Sequence, residues 1–574
     1  MTLPTFARYP YATHEDSRGE SMTHTPKGLA TVALLKTRLD QGHDHLSLFE
    51  PLILDALLRL PAQDFVAPDV KVVVHERTGI LLPANAIQTL LGRCTKRGLL
   101  QRQGGRFFRT PLAVPDPQLD STRAAFQAEQ AALGRAFKEY ATAAGVDLQT
   151  PENALTTVAT FVSDNKVHLI LEDALDDSPL ERSSMDRKLT RLVARFIMER
   201  CLRSAELRPA LEALTEGIVL QDTLLLRDIP EAAQRFQDLV VVFDTLILFA
   251  ALDLAGVANG IAAKEGLTLL RETGARTVAF RQTVDEMRRI LAVYEQHLAT
   301  TEGRLTLYPT PLTQHVLTAK LSPADIRVIS ATLENRLAKA GITVRDIPPH
   351  NPRFTLDEAA LAQCLVDTKN PSTDTPRIRH DVDCVAGVLT LRGGRTSTTL
   401  ERSVAIFCSS TGQVIRNVQQ WYSAQQEQGI PPILHQAALT SIAWLKKPAA
   451  APNVKLSELA ALCVAAMRPT RDTWKKLVET LRRLRTDGAI SDDETAAIVA
   501  SELTEPLLAR LDDEFEPDSD SIQEAVERVR ESYRQQASLA ADEAVGKAQA
   551  DALLAQQAAS AAMSRRLLKV SGGH

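Results

Sequence analysis

The sequence predicts a multidomain, α-rich protein carrying one α/β domain. Three observations lead there. A chain of 574 residues holds about three to four domains at roughly 150 residues each. Long stretches rich in Ala, Leu and Glu and poor in Gly read as helices. Against that background Leu239-Val240-Val241-Val242-Phe243 is an unbroken apolar run ending at Asp244, the pattern of a central strand buried on both faces. A hydrophobic content of 44% supports sizeable cores. The net charge of −5 excludes a global basic field, so contact with nucleic acid would have to come from local patches. No apolar run approaches the ~18 residues needed to cross a bilayer, so no membrane partner is expected. The N-terminal residues lack the apolar core of a signal peptide. The six cysteines are scattered, with no C-x-x-C pair, which reads as buried free thiols in a reducing, cytoplasmic setting rather than a zinc site.

In chain order, residues 1–27 read as a polar tail. Residues 28–110 carry an apolar helix from Leu46 to Leu60, then Val70-Lys71-Val72-Val73-Val74. Next comes a helix with Ile87, Leu90, Leu91 and Cys94 at helical spacing, closed by Gly98. Gln103-Gly104-Gly105-Arg106-Phe107-Phe108 reads as a hairpin. The segment "K-R-G-L-L" followed by "G-G-R-F-F-R" resembles the winged helix-turn-helix family. That resemblance implies a module that binds nucleic acid or docks protein. For the first role Arg93, Lys96, Arg97, Arg102 and Arg106 are the candidate phosphate contacts, with Arg109 beside them. For the second they are solvated surface charges. Residues Pro111 to Pro117 form a linker, and 121–236 read as a helical region without recognisable chemistry.

Over 238–448 strands and helices alternate, as in an α/β domain. A strand at Ala275–Phe280 is expected to lead into a helix from near Thr283. A less regular stretch at about 299–372 reads as an insert, inside which Ser322-Pro323 starts a helix and Ile342-Thr343-Val344 is a short strand. A helix from Asp381 and a strand at Val404–Cys408 follow. Residues 455–510 read as helical, 511–520 as an acidic hinge, and 521–574 as a long helix opened by a capping box at Ser521. Its weak apolar periodicity suggests packing on a protein partner or self-association.

Acids gather where α/β folds collect their sites. Asp244, Glu286 and Asp381 each lie just past a strand or at a helix start, where ligands bind in open sheets. Three carboxylates converging would repel unless a cation neutralised them. Hard oxygen donors suit Mg²⁺ or Mn²⁺, with Asp383 as a fourth candidate ligand. Each acid also has a plainer reading. Thr283-Val284-Asp285-Glu286 fits a capping box, and Asp381 fits an N-cap. Asp381 and Asp383 lie about 200° apart around a helix, so both do not face one point. His380 is a candidate general base or a structural histidine. Thr245, Arg377, Arg379, Arg392, Ser410 and Thr411 surround the acids as candidate substrate contacts, with Arg395 nearby; the arginines read equally as ion-pair partners.

The segments "D-T-L-I-L-F-A-A-L-D-L", "F-R-Q-T-V-D-E-M-R-R-I-L", "D-V-D-C-V-A-G-V-L-T-L-R-G-G" and "A-I-F-C-S-S-T-G" together resemble the PIN-like nuclease domains of bacterial proteins, over about 210 residues. The resemblance implies a parallel sheet flanked by helices and a metal-dependent endonuclease, acting on RNA rather than DNA. Asp244, Glu286 and Asp381 would be its catalytic acids. Large flanks around a small nuclease core suggest control, as in toxin or antiphage defence systems. One departure stands out: the last strand runs into Cys408-Ser409-Ser410-Thr411, without the further acid that the family often carries. A rival reading therefore stays open, a non-enzymatic winged-helix nucleic-acid-binding or scaffold protein with a degenerate PIN-like core.

Overall fold

The computed structural model describes most of the chain between residues 49 and 535, apart from 171–184, 226–234, 350–356, 367–374, 509–519 and shorter breaks. The expected polar tail and nearly all of the acidic hinge lie outside the described residues. The chain divides into two compact units. The first takes in Met1–Val167, Phe196–Gln234 and Trp444–Lys455; the second takes in His168–Arg195, Arg235–Ala443 and Leu456–His574. Among the described residues, no helix is long and apolar enough to cross a membrane.

The first unit opens with α1 (Glu50–Arg59), β1 (Asp64–Phe65), α2 (Ala67–Thr78), α3 (Ala84–Lys96), β2 (Leu100–Gln103) and β3 (Arg106–Arg109). The run Val70–Val74 lies inside α2, where Val70 and Val74, one turn apart, face the core. The three strands pair antiparallel in the order β1-β3-β2. The hairpin expected at Gly104-Gly105 is present. Both glycines take positive φ (55° and 82°), which a tight two-residue turn between twisted strands requires. Asp55 and Asp120 are bridged by Arg59 and Arg77, and Asp120 belongs to the next helix, α4 (Leu119–Ala143). The small module is therefore fastened to the helical region that follows it. That region continues with α5 (Pro151–Ile170) and α7 (Leu207–Leu225), while α6 (Arg187–Phe196), between them in the chain, belongs almost wholly to the second unit. Buried Gln130 of α4 donates to the Ala210 carbonyl of α7 at 2.9 Å.

The second unit holds a five-stranded, wholly parallel sheet in the order β6-β5-β4-β7-β8. Its strands are β4 (Val240–Phe243), β5 (Arg276–Phe280), β6 (Thr343–Arg345), β7 (Ala405–Ser409) and β8 (Ile433–His435). The connections are α8 (Thr245–Ala251), α9 (Val257–Glu272), α10 (Arg281–Leu298), α11 (Thr301–Thr306), α12 (Pro311–Thr318), α13 (Pro323–Ala331), α14 (Leu333–Lys339), α15 (Glu358–Leu365), α16 (Thr375–Arg392), α17 (Gly412–Ala424) and α18 (Gln436–Lys446). Successive β4 residues are buried whichever way they point, as a central parallel strand demands. Val240, Val242, Val278, Phe280, Ala405 and Phe407 share one core with Val382, Val385 and Val388 of α16 and Val414 and Val418 of α17.

Three local expectations need correction. The stretch 299–372, read as an insert, supplies β6, which pairs with β5 and completes one edge of the sheet. The helix after β5 starts at Arg281 rather than near Thr283, with Phe280 in the N-cap position. The helix expected from Asp381 starts at Thr375, so Asp381 is mid-helix and caps nothing. The Ser322 start is as expected: its side chain and that of Asp325 form a reciprocal capping box.

The helices α19 (Val454–Ala466), α20 (Arg471–Thr486) and α21 (Asp492–Ala500) follow, and the chain is helical again over 520–535. That last helix is already under way at residue 520, so Ser521 lies inside it. Its apolar face (Ile522, Ala525, Val526, Val529) is buried in this chain, and Arg530 pairs with Glu494 of α21 at 2.9 Å. Over these residues the helix packs on its own unit rather than presenting a free face to a partner. The remainder of the expected C-terminal helix lies outside the described residues. Five of the cysteines are buried, Cys364 is half-buried, and none is paired.

Candidate metal centre

The strand order places a topological switch point between β4 and β7. The chain leaves β4 toward β5 on one side and reaches β7 on the other, which opens a crevice at the carboxyl ends of the two strands. Asp244 sits there, between the last residue of β4 and the first of α8. Its φ and ψ are −76° and 158°, the extended geometry of an N-cap. One carboxylate oxygen accepts the Thr245 N–H at 2.7 Å, and the other accepts the Ser409 hydroxyl at 2.5 Å. Ser409 ends β7, is fully buried, and in turn accepts the Thr411 N–H at 3.0 Å. The neighbouring strand thus orients the acid.

Glu286 lies in the second turn of α10, on the turn above Thr283. It is not the second half of a capping box, because the helix begins three residues earlier than that motif needs. Its carboxylate accepts the Thr245 hydroxyl. The same threonine therefore serves two acids, its N–H going to Asp244 and its O–H to Glu286. Thr245 is buried, so it positions these carboxylates and is not the substrate contact expected of it.

α16 brings His380 and Asp381 to the same edge. His380 Nδ1 lies 3.3 Å from Glu286 Oε2 and 3.2 Å from Asp381 Oδ1. Its Nε2 lies 3.0 Å from Thr283 Oγ1 and 3.4 Å from Cys384 Sγ. Both ring nitrogens are engaged and the side chain is buried, so a solvent-facing general base is not supported. Burial opposes a charge on His380, but the charged neighbours Asp381 and Glu286 act against it and raise the imidazole pKa. Cys384 is fully buried, which raises its own pKa. Its thiol is therefore neutral, and the two carboxylates are what hold the proton on the ring. Burial pushes Asp381 up to about 6; the His380 hydrogen bond pulls it back, and the charge of Asp244 adds to the rise.

Asp244, Glu286 and His380 each offer a ligand atom, and these three atoms lie within 4.8 Å of one another. Opposite ligands of one ion at ~2.1 Å stand roughly 4.2 Å apart, so a contraction of a few tenths of an ångström would bring all three onto a single cation. This buried group can hold a metal ion. Asp381 borders it through His380. Asp383 does not join it. Burial raises the Asp383 pKa, and its charged neighbours are Glu358, Arg379 and His380. It points away because two helical residues turn the direction by about 200°.

The remaining expected contacts divide. Arg377 and Arg379 are exposed near the N-terminal end of α16, and the charge of Arg377 is felt at Asp381. Ser410 and Thr411 follow Ser409 at the same edge and are half-buried. Arg392 is corrected. It lies eleven residues beyond Asp381, roughly 17 Å along the helix at 1.5 Å per residue. It is buried, and its guanidinium donates to the carbonyls of Ala405, Ile430 and Pro431 at 2.7–3.0 Å. It joins the starts of β7 and β8 and touches no site. Arg395 donates to the Arg392 carbonyl.

In the first unit the basic residues are largely committed. Arg97 pairs with Glu50, Arg106 with Asp64 at 2.7 Å, and Arg109 donates to the Leu60 carbonyl. Arg102 lies over the Phe107 ring, 5.6 Å from its centroid. Arg93 is half-buried and Lys96 is exposed.

Three residues at the site escaped the sequence reading. Ser409 had a signal, since it closes a buried strand with a polar residue as Asp244 closes β4. Cys384, one turn beyond His380 on the same helix face, also had one. Thr283 had none, because its role depends on α16 lying against α10. The chain matches no protein-family model, no curated protein and no solved structure.

Proposed function

We propose that this protein is a divalent-metal-dependent endonuclease of the PIN-like type, cutting RNA in preference to DNA. The observation that supports this best is the meeting of Asp244, Glu286 and His380 in the switch-point crevice of a parallel sheet. A divalent ion bound there would lower the pKa of a water molecule and polarise a phosphodiester oxygen. The chain's own residues would hold and aim the ligands. Thr245 and Ser409 fix the Asp244 carboxylate, Thr245 also fixes Glu286, and Asp381 contributes a second ring of negative charge. Exposed Arg377 and Arg379 stand at the same edge to meet substrate phosphates. Mg²⁺ and Mn²⁺ are the ions that two carboxylates first suggest.

Asp244→Asn tests the reading. An amide keeps the N-cap acceptor for Thr245 but removes a charged ligand. Cleavage of a labelled RNA pool with Mn²⁺ should fall to background, while the metal-free melting temperature holds or rises through relief of like-charge repulsion. Wild-type cleavage by this variant sinks the assignment. A second reading, an inactive core retained for binding, is favoured by the absence of an acid in Cys408-Ser409-Ser410 and by the outward turn of Asp383. It predicts Mn²⁺ uptake by the wild type without cleavage of RNA or DNA.

The helix-strand-helix-helix-strand-strand order of the first module supports a winged-helix reading. With Arg97, Arg106 and Arg109 committed to partners in the module, we read it as a docking element more than as a nucleic-acid reader. A role in toxin or antiphage defence systems would fit a nuclease core under the control of such flanks.

A further inference from the structure

We infer that His380 is itself a metal ligand, through Nδ1, and that the centre therefore prefers ions that accept an imidazole, Mn²⁺ among them, over Mg²⁺. The inference rests on the reading that this site holds a divalent ion, and it names which ion and by which atoms.

The two ring nitrogens face different chemistry. Nδ1 is turned to the carboxylates of Glu286 and Asp381, at 3.3 and 3.2 Å. Nε2 is turned to two neutral groups, the Thr283 hydroxyl at 3.0 Å and the Cys384 thiol at 3.4 Å. A cation drawn to Asp244 and Glu286 therefore meets Nδ1. When the cation displaces the proton that Glu286 and Asp381 hold at Nδ1, Nε2–H stays donated to Thr283 and the Nδ1 lone pair faces the ion. This is how metal-ligating histidines are usually held, with the other ring nitrogen fixed by an outer hydrogen-bond partner.

The ring has little room to leave. His380 is 3% exposed and is held on α16 with Cys384 one turn further on. An all-oxygen shell would need Asp381 in its place, yet Asp381 offers no atom within the 4.8 Å group. Two carboxylates with one imidazole make a mixed shell. Mg²⁺ takes oxygen ligands and gives up its water reluctantly, whereas imidazole suits the later divalent ions.

The experiment uses the full chain, titrated with Mn²⁺ and with Mg²⁺ by calorimetry, and pulsed electron paramagnetic resonance of the Mn²⁺-loaded protein. The wild type should show a ¹⁴N coupling to Mn²⁺ and bind Mn²⁺ at least tenfold more tightly than Mg²⁺. His380→Gln should lose the nitrogen coupling and most of that preference. Thr283→Val keeps the ligand but removes its outer partner, so the coupling should persist while Mn²⁺ affinity falls about tenfold. Asp244→Asn should remove the bound Mn²⁺ and its nitrogen signal together, tying the signal to this histidine's site. Should His380→Gln not fold, the wild-type spectrum and Thr283→Val decide. Mn²⁺ bound at this site without nitrogen coupling, or Mg²⁺ bound as tightly as Mn²⁺, overturns this inference alone. Failure of the wild type to bind any Mn²⁺ overturns the metal-centre reading with it.

Discussion

At the scale of single residues, burial separates the arginines that hold the fold from those left for a ligand. Arg392 looked from the sequence like a phosphate contact beside an acid. In the fold it is a buried clamp on three carbonyls. Replacing it with Met leaves those carbonyls without their charged donor in a dry setting. Losing hydrogen bonds to a buried charged group costs roughly 2–4 kcal/mol. Arg392→Met should therefore lower the denaturation midpoint by that much, seen in urea titration, while Mn²⁺ affinity stays within twofold. A large loss of metal binding in a folded Arg392→Met protein would put the residue back at the site. Thr245 shows the converse: a small hydroxyl residue whose two donors hold two acids cannot also greet a substrate.

Helix placement decides how α16 brings His380 and Asp381 to the sheet edge. Gly387, two turns further along, makes the close approach to β5 feasible. A Cβ there would stand 2.9 Å from Phe280 Cε2 and 3.3 Å from Ile347 Cγ2, and the Phe280 ring is itself buried in the core. Gly387→Ala would gain about 1 kcal/mol in helix propensity. Overpacking a tight core costs roughly 1–3 kcal/mol, so the net effect should be a loss of stability. The same strain should lever α16 outward and weaken Mn²⁺ binding, and a Gly387→Ala protein with wild-type stability and affinity would refute that geometry.

The helix at 520–535 offers a second test at this scale. The Arg530 hydrogen bond and then the Ser491 N–H, working against burial and helped by Arg534, pull the Glu494 pKa down to about 2. A carboxyl with a depressed folded pKa contributes stability that is complete above its unfolded value of ~4.5 and lost as pH falls toward 2. Discounted for solvent screening, the contribution is about 1 kcal/mol. Amide exchange in 520–535 should quicken, relative to intrinsic rates, between pH 5 and 2.5 in the wild type. In Glu494→Gln it should be fast throughout and lack that pH step.

Across the whole molecule, the chain joins an unexceptional net charge of −5 to a small basic module whose cations mostly have internal partners. Such a module adds little counterion release. Reversing Lys96 and Arg102 to Glu should change the log–log salt slope of RNA binding by well under one unit in total. A true phosphate reader loses about one unit for each contact removed. A shift of two units would return the module to the role of nucleic-acid reader.

What the sequence determined by itself is local. The apolar run Leu239–Phe243 specified a buried central strand because only a parallel strand covered on both faces tolerates such continuity. Gly104-Gly105 specified its hairpin through positive φ, and Ser322-Pro323 its helix start through capping. The end of β4 likewise picked out Asp244, and Glu286 was legible as an acid near the start of the following helix. The rest was decided by the tertiary structure. Ile342-Thr343-Val344 was legible as a short strand inside 299–372, but its place as an edge of the sheet was not, because that place exists only through pairing with β5. His380 could not be told from an ordinary buried histidine until α16 set its Nδ1 among carboxylates and its Nε2 against Thr283, nearly a hundred residues earlier in the chain. Asp383 and Arg392 lost their expected roles for the same reason: the turn and rise of one helix decide which side chains reach a site, and only the packed helix shows which way it faces.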